Sequence, residues 1–237
     1  MNSILIFYLF LLGLLLGSFY NVVGLRLPKG ELFKEERSYC PYCRKTLKWY
    51  ELVPLLSYFH QRGKCRYCQS PISFIYPAME LISGLMFAFC IWYVGLQLEL
   101  VLALLLISLF LIITVSDLVY MIIPDKLLLF FFILFLIYRC FQPLEPWWSS
   151  LLGGVIGIGM TAFIILISKG GMGGGDMKLF GLIGFVLGWK LLLVTFFLST
   201  LLGSITSGFL LIVRVISKNE PFPFGPFIVV GASFSYF

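Results

Sequence analysis

Glu99-Leu-Val-Leu-Ala-Leu-Leu-Leu-Ile-Ser-Leu-Phe-Leu-Ile-Ile-Thr-Val-Ser116 carries no charge after its first residue, and the next residue is Asp117. A helix needs about 20 apolar residues to cross ~30 Å of hydrocarbon, so this run reads as a transmembrane span that ends on a carboxylate. Similar runs lie on both sides of it. Further spans are expected at Ile4–Leu25, Ser73–Gly95, Lys126–Phe141, Ser149–Ser168, Met177–Trp189, Leu191–Ile216 and Phe224–Phe237. The stretch from Leu179 to Ile216 is too long for one crossing, and Gly188-Trp189-Lys190 supplies the break, with an aromatic and a lysine suited to an interface. Ile4–Leu25 lacks a basic n-region and runs into a basic stretch, so it is kept as a permanent span rather than a signal peptide.

The fold expected is an all-α polytopic membrane protein with about eight transmembrane helices and a small cytoplasmic zinc-binding loop domain. Composition agrees. Of the residues, 60% are hydrophobic and only 12% charged, with a mean hydropathy of +1.02. A soluble domain of this size leaves too much of its side-chain area facing water to tolerate that balance, whereas membrane lipid is itself an apolar solvent.

The net charge of +6 is concentrated in Arg26–Ser70, where ten basic residues face four acidic ones. Beside a membrane helix such an excess reflects the positive-inside rule, and no nucleic-acid-binding motif accompanies it, so no nucleic acid is expected as a partner. With that loop cytoplasmic, the N-terminus lies outside, and Asp117–Asp125, Lys169–Lys178 and Arg214–Glu220 fall on the cytoplasmic side. The implied division is a first helix at 1–25, a cytoplasmic loop domain at 26–72 and membrane helices at 73–237. Such a protein belongs in a bacterial cytoplasmic (inner) membrane.

Cys40-Pro-Tyr-Cys43 and Cys65-Arg-Tyr-Cys68 are two CxxC knuckles separated by 21 residues. Two thiolates three positions apart on a tight turn both reach one ion at ~2.3 Å, and two such turns complete a tetrahedral zinc site. A reducing compartment argues against disulfides, and a single redox CxxC leaves the second copy unexplained. Four cysteine ligands leave no open coordination position, so the zinc would be structural and would supply the loop's folding energy. Cys90 and Cys140 read as packing residues, and His60, the sole histidine, as a surface side chain of the loop.

Carboxylates at membrane helices are costly and therefore functional candidates. Asp117 closes one span, and Asp176, 59 residues later, opens another after Gly173-Gly174-Gly175. The orientation above puts both at the cytoplasmic face. Two carboxylates sharing a site do not both ionise easily, which is the arrangement an aspartyl protease uses: one takes a proton from water, the other polarises the scissile carbonyl. Glycines beside Asp176 let the backbone approach an extended substrate. Helix capping is the plainer alternative for both, and it is the reading assigned to Asp125. Glu80 is a weaker polar candidate. Two rivals are a non-enzymatic membrane adaptor, which leaves the paired carboxylates unexplained, and a proton-coupled transporter, which would place them nearer mid-membrane.

Taken together these residues resemble the type IV prepilin leader peptidases. The likeness runs through Gly17-Ser18-Phe19-Tyr20-Asn21-Val22-Val23 and Arg26-Leu27-Pro28, the two CxxC knuckles, Trp49–Pro54, Arg62-Gly63-Lys64, and Tyr76-Pro77 with Glu80. It continues through Asp117 to Pro124-Asp125, the GxGD motif Gly173–Asp176, and Pro223-Phe224-Gly225-Pro226-Phe227. The resemblance implies cleavage of a short basic leader from prepilin or pseudopilin precursors at the cytoplasmic face, with Asp117 and Asp176 as the catalytic aspartates. It also implies N-methylation of the new N-terminal residue with S-adenosylmethionine.

Overall fold

The computed structural model describes residues 3–32, 37–168, 171–214 and 222–237. The regular structure among them is helical: α1 (Ser3–Arg26), α2 (Leu56–His60), α3 (Ile75–Val94), α4 (Glu99–Tyr120), α5 (Asp125–Phe141), α6 (Trp148–Ile167), α7 (Gly174–Ile212) and α8 (Gly225–Tyr236). Five of them, α1, α3, α4, α6 and α7, are long and apolar enough to cross a membrane. Part of the basic loop (33–36), the start of the Lys169–Lys178 loop and nearly all of Arg214–Glu220 lie outside the described residues.

The chain divides into two compact units, Met1–Val115 and Ser116–Phe237. In the first, α1 packs on α3 through small residues. A Cβ on Gly13 would sit 2.7 Å from the Ser83 carbonyl oxygen, and one on Gly17 would sit 2.9 Å from Glu80 Cα. With no hydrophobic drive between helices in lipid, such close backbone approach is what holds a pair together. Polar side chains add local pins: Tyr20 and Ser108 share a hydrogen bond of 2.6 Å, and Asn21 Nδ2 donates to the Tyr76 carbonyl at 3.1 Å.

In the second unit, α7 spans 39 residues as two helical arms that meet at Gly188, whose φ 81° and ψ 167° are not helical. In a straight helix Phe180 and Phe196 would be about 24 Å apart, at 1.5 Å per residue. Their ring centroids are 5.5 Å apart. The helix therefore folds back on itself at Gly188, where the sequence had placed a break. Phe180 meets Phe196, and a Cβ on Gly184 would sit 2.9 Å from Leu192 Cδ2; each pair is equidistant from residue 188. Arg139 of α5 donates to the Val186 carbonyl, a group that the interruption at Gly188 leaves short of a helical partner.

Helix α6 lies along the first arm of α7 through glycines: a Cβ on Gly153 would overlap the Gly184 carbonyl, and one on Gly157 would sit 2.5 Å from the Phe180 oxygen. Helix α8 lies along the second arm. Thr195 Oγ1 donates to Ser235 Oγ at 3.0 Å, and a Cβ on Gly203 would meet the Phe224 ring at 2.8 Å.

Candidate active site

Asp117 sits in the last turn of α4, 5% exposed. The chain then reverses. The Met121 N–H donates to the Asp117 carbonyl at 2.9 Å, and Met121 takes φ 54°, a left-handed conformation uncommon for a side chain of this kind. Ser116 Oγ donates to the Ile122 carbonyl at 2.5 Å and pins the turn. Asp176 lies at the third position of α7, half-buried, and its Oδ2 accepts the N–H of Gly173, the N-cap, at 3.2 Å. It thus caps α7 from inside the first turn instead of standing as the N-cap itself.

Both carboxylates line one cleft of about 470 Å³, whose walls include Met121, Ile122, Met172 and Phe224. The third contributor is α8. The buried N–H of its first residue, Gly225, donates to Asp117 Oδ2 at 2.7 Å. Two carboxylates against apolar walls, each held by a backbone amide, can polarise a carbonyl and accept a proton from water.

The structure departs from expectation at Asp125. Pro124, not Asp125, is the N-cap of α5, and no side-chain cap forms there. Asp125 instead accepts a hydrogen bond from Lys178 Nζ at 2.7 Å, joining the starts of α5 and α7 beside the cleft. Residues 53 apart give no sequence sign of such pairing. Glu80, the weaker candidate, accepts the Leu55 N–H at 2.9 Å and so anchors the loop to α3. Cys90 is fully buried, as a packing residue should be, but Cys140 lies on the exposed surface of α5.

Two comparisons place the chain among known proteins. Residues 11–94 match the bacterial peptidase A24 N-terminal domain, and residues 104–208 match the type IV leader peptidase family. A Bacillus subtilis protein named prepilin leader peptidase/N-methyltransferase is 43% identical over 96% of this chain and 92% of its own length. The chain belongs to the type IV leader peptidase family. Proteins of the same name from Aeromonas hydrophila and Stutzerimonas stutzeri are 34% and 32% identical over 93% and 92% of this chain, each covered for 86% of its length. No solved structure matches.

The cysteine loop of this leader peptidase repeats one local geometry twice. In the first knuckle the Cys40 N–H donates to the Lys45 carbonyl at 3.0 Å and the Arg44 N–H to the Cys40 carbonyl at 2.8 Å. In the second, the Cys65 N–H donates to the Ser70 carbonyl at 2.8 Å and the Gln69 N–H to the Cys65 carbonyl at 2.9 Å. Arg44 and Gln69, each four residues after the first cysteine of its knuckle, have φ 54° and 58°. The four Sγ atoms lie within 4.8 Å of one another, and Cys40 Sγ is 3.8 Å from Cys68 Sγ. A tetrahedron with metal–sulfur bonds of ~2.3 Å has edges of about 3.8 Å, so the donor set fits a four-coordinate metal. Burial pushes the Cys40 thiol up, but the Cys43 and Tyr42 backbone amides and the Ser70 and Cys65 side chains together outweigh it and hold the thiol down at about 6. Such N–H···S bonds stabilise thiolate, the form a metal takes.

Proposed function

We propose that this chain is a membrane aspartyl endopeptidase that removes the short basic leader from type IV prepilin-like precursors at the cytoplasmic membrane face. It then N-methylates the new N-terminal residue. The observation that carries the reading is the meeting of Asp117 and Asp176, from separate helices, in one cleft. The family and the printed names of the relatives point to the same substrate class.

In this reading one carboxyl is ionised and takes a proton from water as the water attacks the scissile carbonyl. The other is protonated and donates to the carbonyl oxygen as the tetrahedral intermediate forms. The pair holds exchanged roles in the intermediate. On collapse the newly protonated carboxyl gives its proton to the leaving amine, the other takes one from the gem-diol hydroxyl, and the starting protonation is restored. The Gly173-Gly174-Gly175 turn has room for an extended chain, because a Cβ on Gly174 would meet nothing within 4 Å. S-adenosylmethionine supplies the methyl group when bound, and no residue of this chain is assigned to hold it.

The four cysteines hold a structural zinc, and residues 26–72 form a cytoplasmic domain between a first helix at 1–25 and the peptidase helices at 73–237. Eight crossings, with the two arms of α7 counted separately and the N-terminus outside, put the basic loop and both aspartates on the cytoplasmic side. The partners are prepilin or pseudopilin precursors presented from the bilayer. The test is incubation of the purified protein with a panel of such precursors and N-terminal sequencing of the products. A panel left intact by active, folded protein would remove the reading.

A further inference from the structure

Pro223-Phe224-Gly225-Pro226-Phe227 opens α8, yet cleavage by two carboxylates does not by itself call for such a segment. The N–H of Gly225 is 2.7 Å from Asp117 Oδ2, and the bond is buried. Residue 225 can carry no side chain there: a Cβ would lie 2.8 Å from Asp117 Oδ2, 3.0 Å from its Cγ and 3.1 Å from its Cβ. Pro226 follows in the first turn of α8, where its missing N–H costs nothing and its fixed φ suits helix entry. Phe222 and Phe224 each stack on Phe227, with centroids 5.3 Å and 6.4 Å away, and stiffen the approach. The twelve-residue helix also directs the positive end of its dipole at the carboxylate.

We propose that Gly225 is a positioning residue for catalysis, its backbone N–H fixing the orientation and charge of Asp117. The inference rests on the aspartyl-peptidase reading and adds a division of labour to it. Asp117 receives a short, buried amide from a separate helix, whereas the bond to Asp176 comes from its own N-cap at 3.2 Å. Among the described residues, the charged groups that line the cleft with Asp117 are Asp176 from α7 and Asp125 from α5, the latter paired with Lys178; α8 contributes no acidic or basic side chain.

The test is Gly225→Ala, with Gly231→Ala as control. Gly231 lies on the same helix, where a Cβ would press on the Thr195 carbonyl at 2.9 Å, remote from the carboxylates. Alanine keeps the backbone N–H, but its Cβ would press on Asp117 Oδ2 at 2.8 Å and displace the amide. In G225A, kcat for precursor cleavage should therefore fall about 100-fold, the order seen when one oriented donor is lost. KM should stay within about threefold, and the acidic limb of the rate profile should move to higher pH, since a carboxylate deprived of its donor holds its proton more tightly. G231A should lower the unfolding temperature while kcat per folded enzyme and the pH profile stay as in the parent. Folded G225A with parental kcat and pH profile would overturn the proposal.

If G225A does not accumulate, Asp117→Asn and Asp117→Ala decide it. Asparagine keeps an oxygen for the Gly225 N–H and alanine strands it, so D117A should unfold at the lower temperature. Equal unfolding temperatures would reject the bond. Cleavage by D117N would sink the aspartyl reading itself, whereas a dead D117N beside a normal G225A would sink this inference alone.

Discussion

Replacing Gly188 by alanine should destabilise the unit formed by Ser116–Phe237. Two costs combine. At φ 81° and ψ 167° the residue occupies a region that is essentially glycine's own, and holding alanine there costs about 1–3 kcal/mol. The new Cβ would also lie 2.6 Å from Ser149 Oγ and 3.1 Å from Leu144 Cδ1, an overpacking that costs about 1–3 kcal/mol more. The total, about 2–6 kcal/mol, is a large share of a stability of ~5–15 kcal/mol. At about 2–4 °C per kcal/mol, detergent-solubilised G188A should unfold at least ~4 °C below the parent. The double variant G188A/S149A separates the costs. Removing Oγ leaves Ser149 Cβ 3.7 Å away, an ordinary contact, so the share of the steric cost due to Ser149 should return while the Leu144 contact and the backbone part persist. Parental unfolding temperature in G188A would show that the fold-back is not held in this geometry.

Asp117→Asn and Asp176→Asn should each abolish precursor cleavage, by orders of magnitude, while the protein stays folded in the membrane. Normal processing by either variant would remove that residue from the mechanism. Metal analysis of purified protein should find about one zinc per chain, and Cys→Ser changes at 40, 43, 65 or 68 should lower protein level or methylation before cleavage. Finding no stoichiometric metal, with no effect of chelators, would dismiss the site. Asp125→Asn should cost at most about 1 kcal/mol, because both side chains of its pair with Lys178 are 49% exposed or more. A larger loss of unfolding free energy would give that pair a weight its exposure does not suggest. Single cysteines at Ser116 and Gly174, in a background without the native ones, should resist an impermeant thiol reagent added to intact cells, and one at Pro146 should react. Labelling of Gly174 from outside would separate the aspartates from the cytoplasmic face.

Local signals carried most of the sequence reading. Apolar runs marked α1, α3, α4 and α6, because a bilayer leaves few ways to satisfy a backbone other than a helix. Gly188-Trp189-Lys190 marked the fold-back of α7, since only glycine tolerates that dihedral pair. The cysteine spacing likewise encodes a tight turn, and the turn brings the sulfurs together. What escaped were contacts between residues distant in sequence. Nothing near Asp125 announces Lys178, and capping was the reasonable reading of an aspartate after proline. Gly225 was visible as part of a motif, but its use is a backbone N–H, which every non-proline residue has. Only the absence of a side chain hinted at something pressing close.

The fold-back at Gly188 also acts over distance. Each arm of α7 mirrors the other about that residue, so Gly203 returns to the level of Gly173, where the arm of Asp176 begins. Phe224 rests on Gly203, and the next residue hands its amide to Asp117. A straight α7 would run about 58 Å, roughly twice the hydrocarbon thickness, and would carry α8 away from the acids it serves. The geometry at Asp117 is therefore set by a lever whose pivot lies about 20 Å away, fourteen residues along the first arm. A substitution at the pivot, with no contact to substrate, should be felt at the carboxylates, so screens for slow variants should find positions at the far end of these helices.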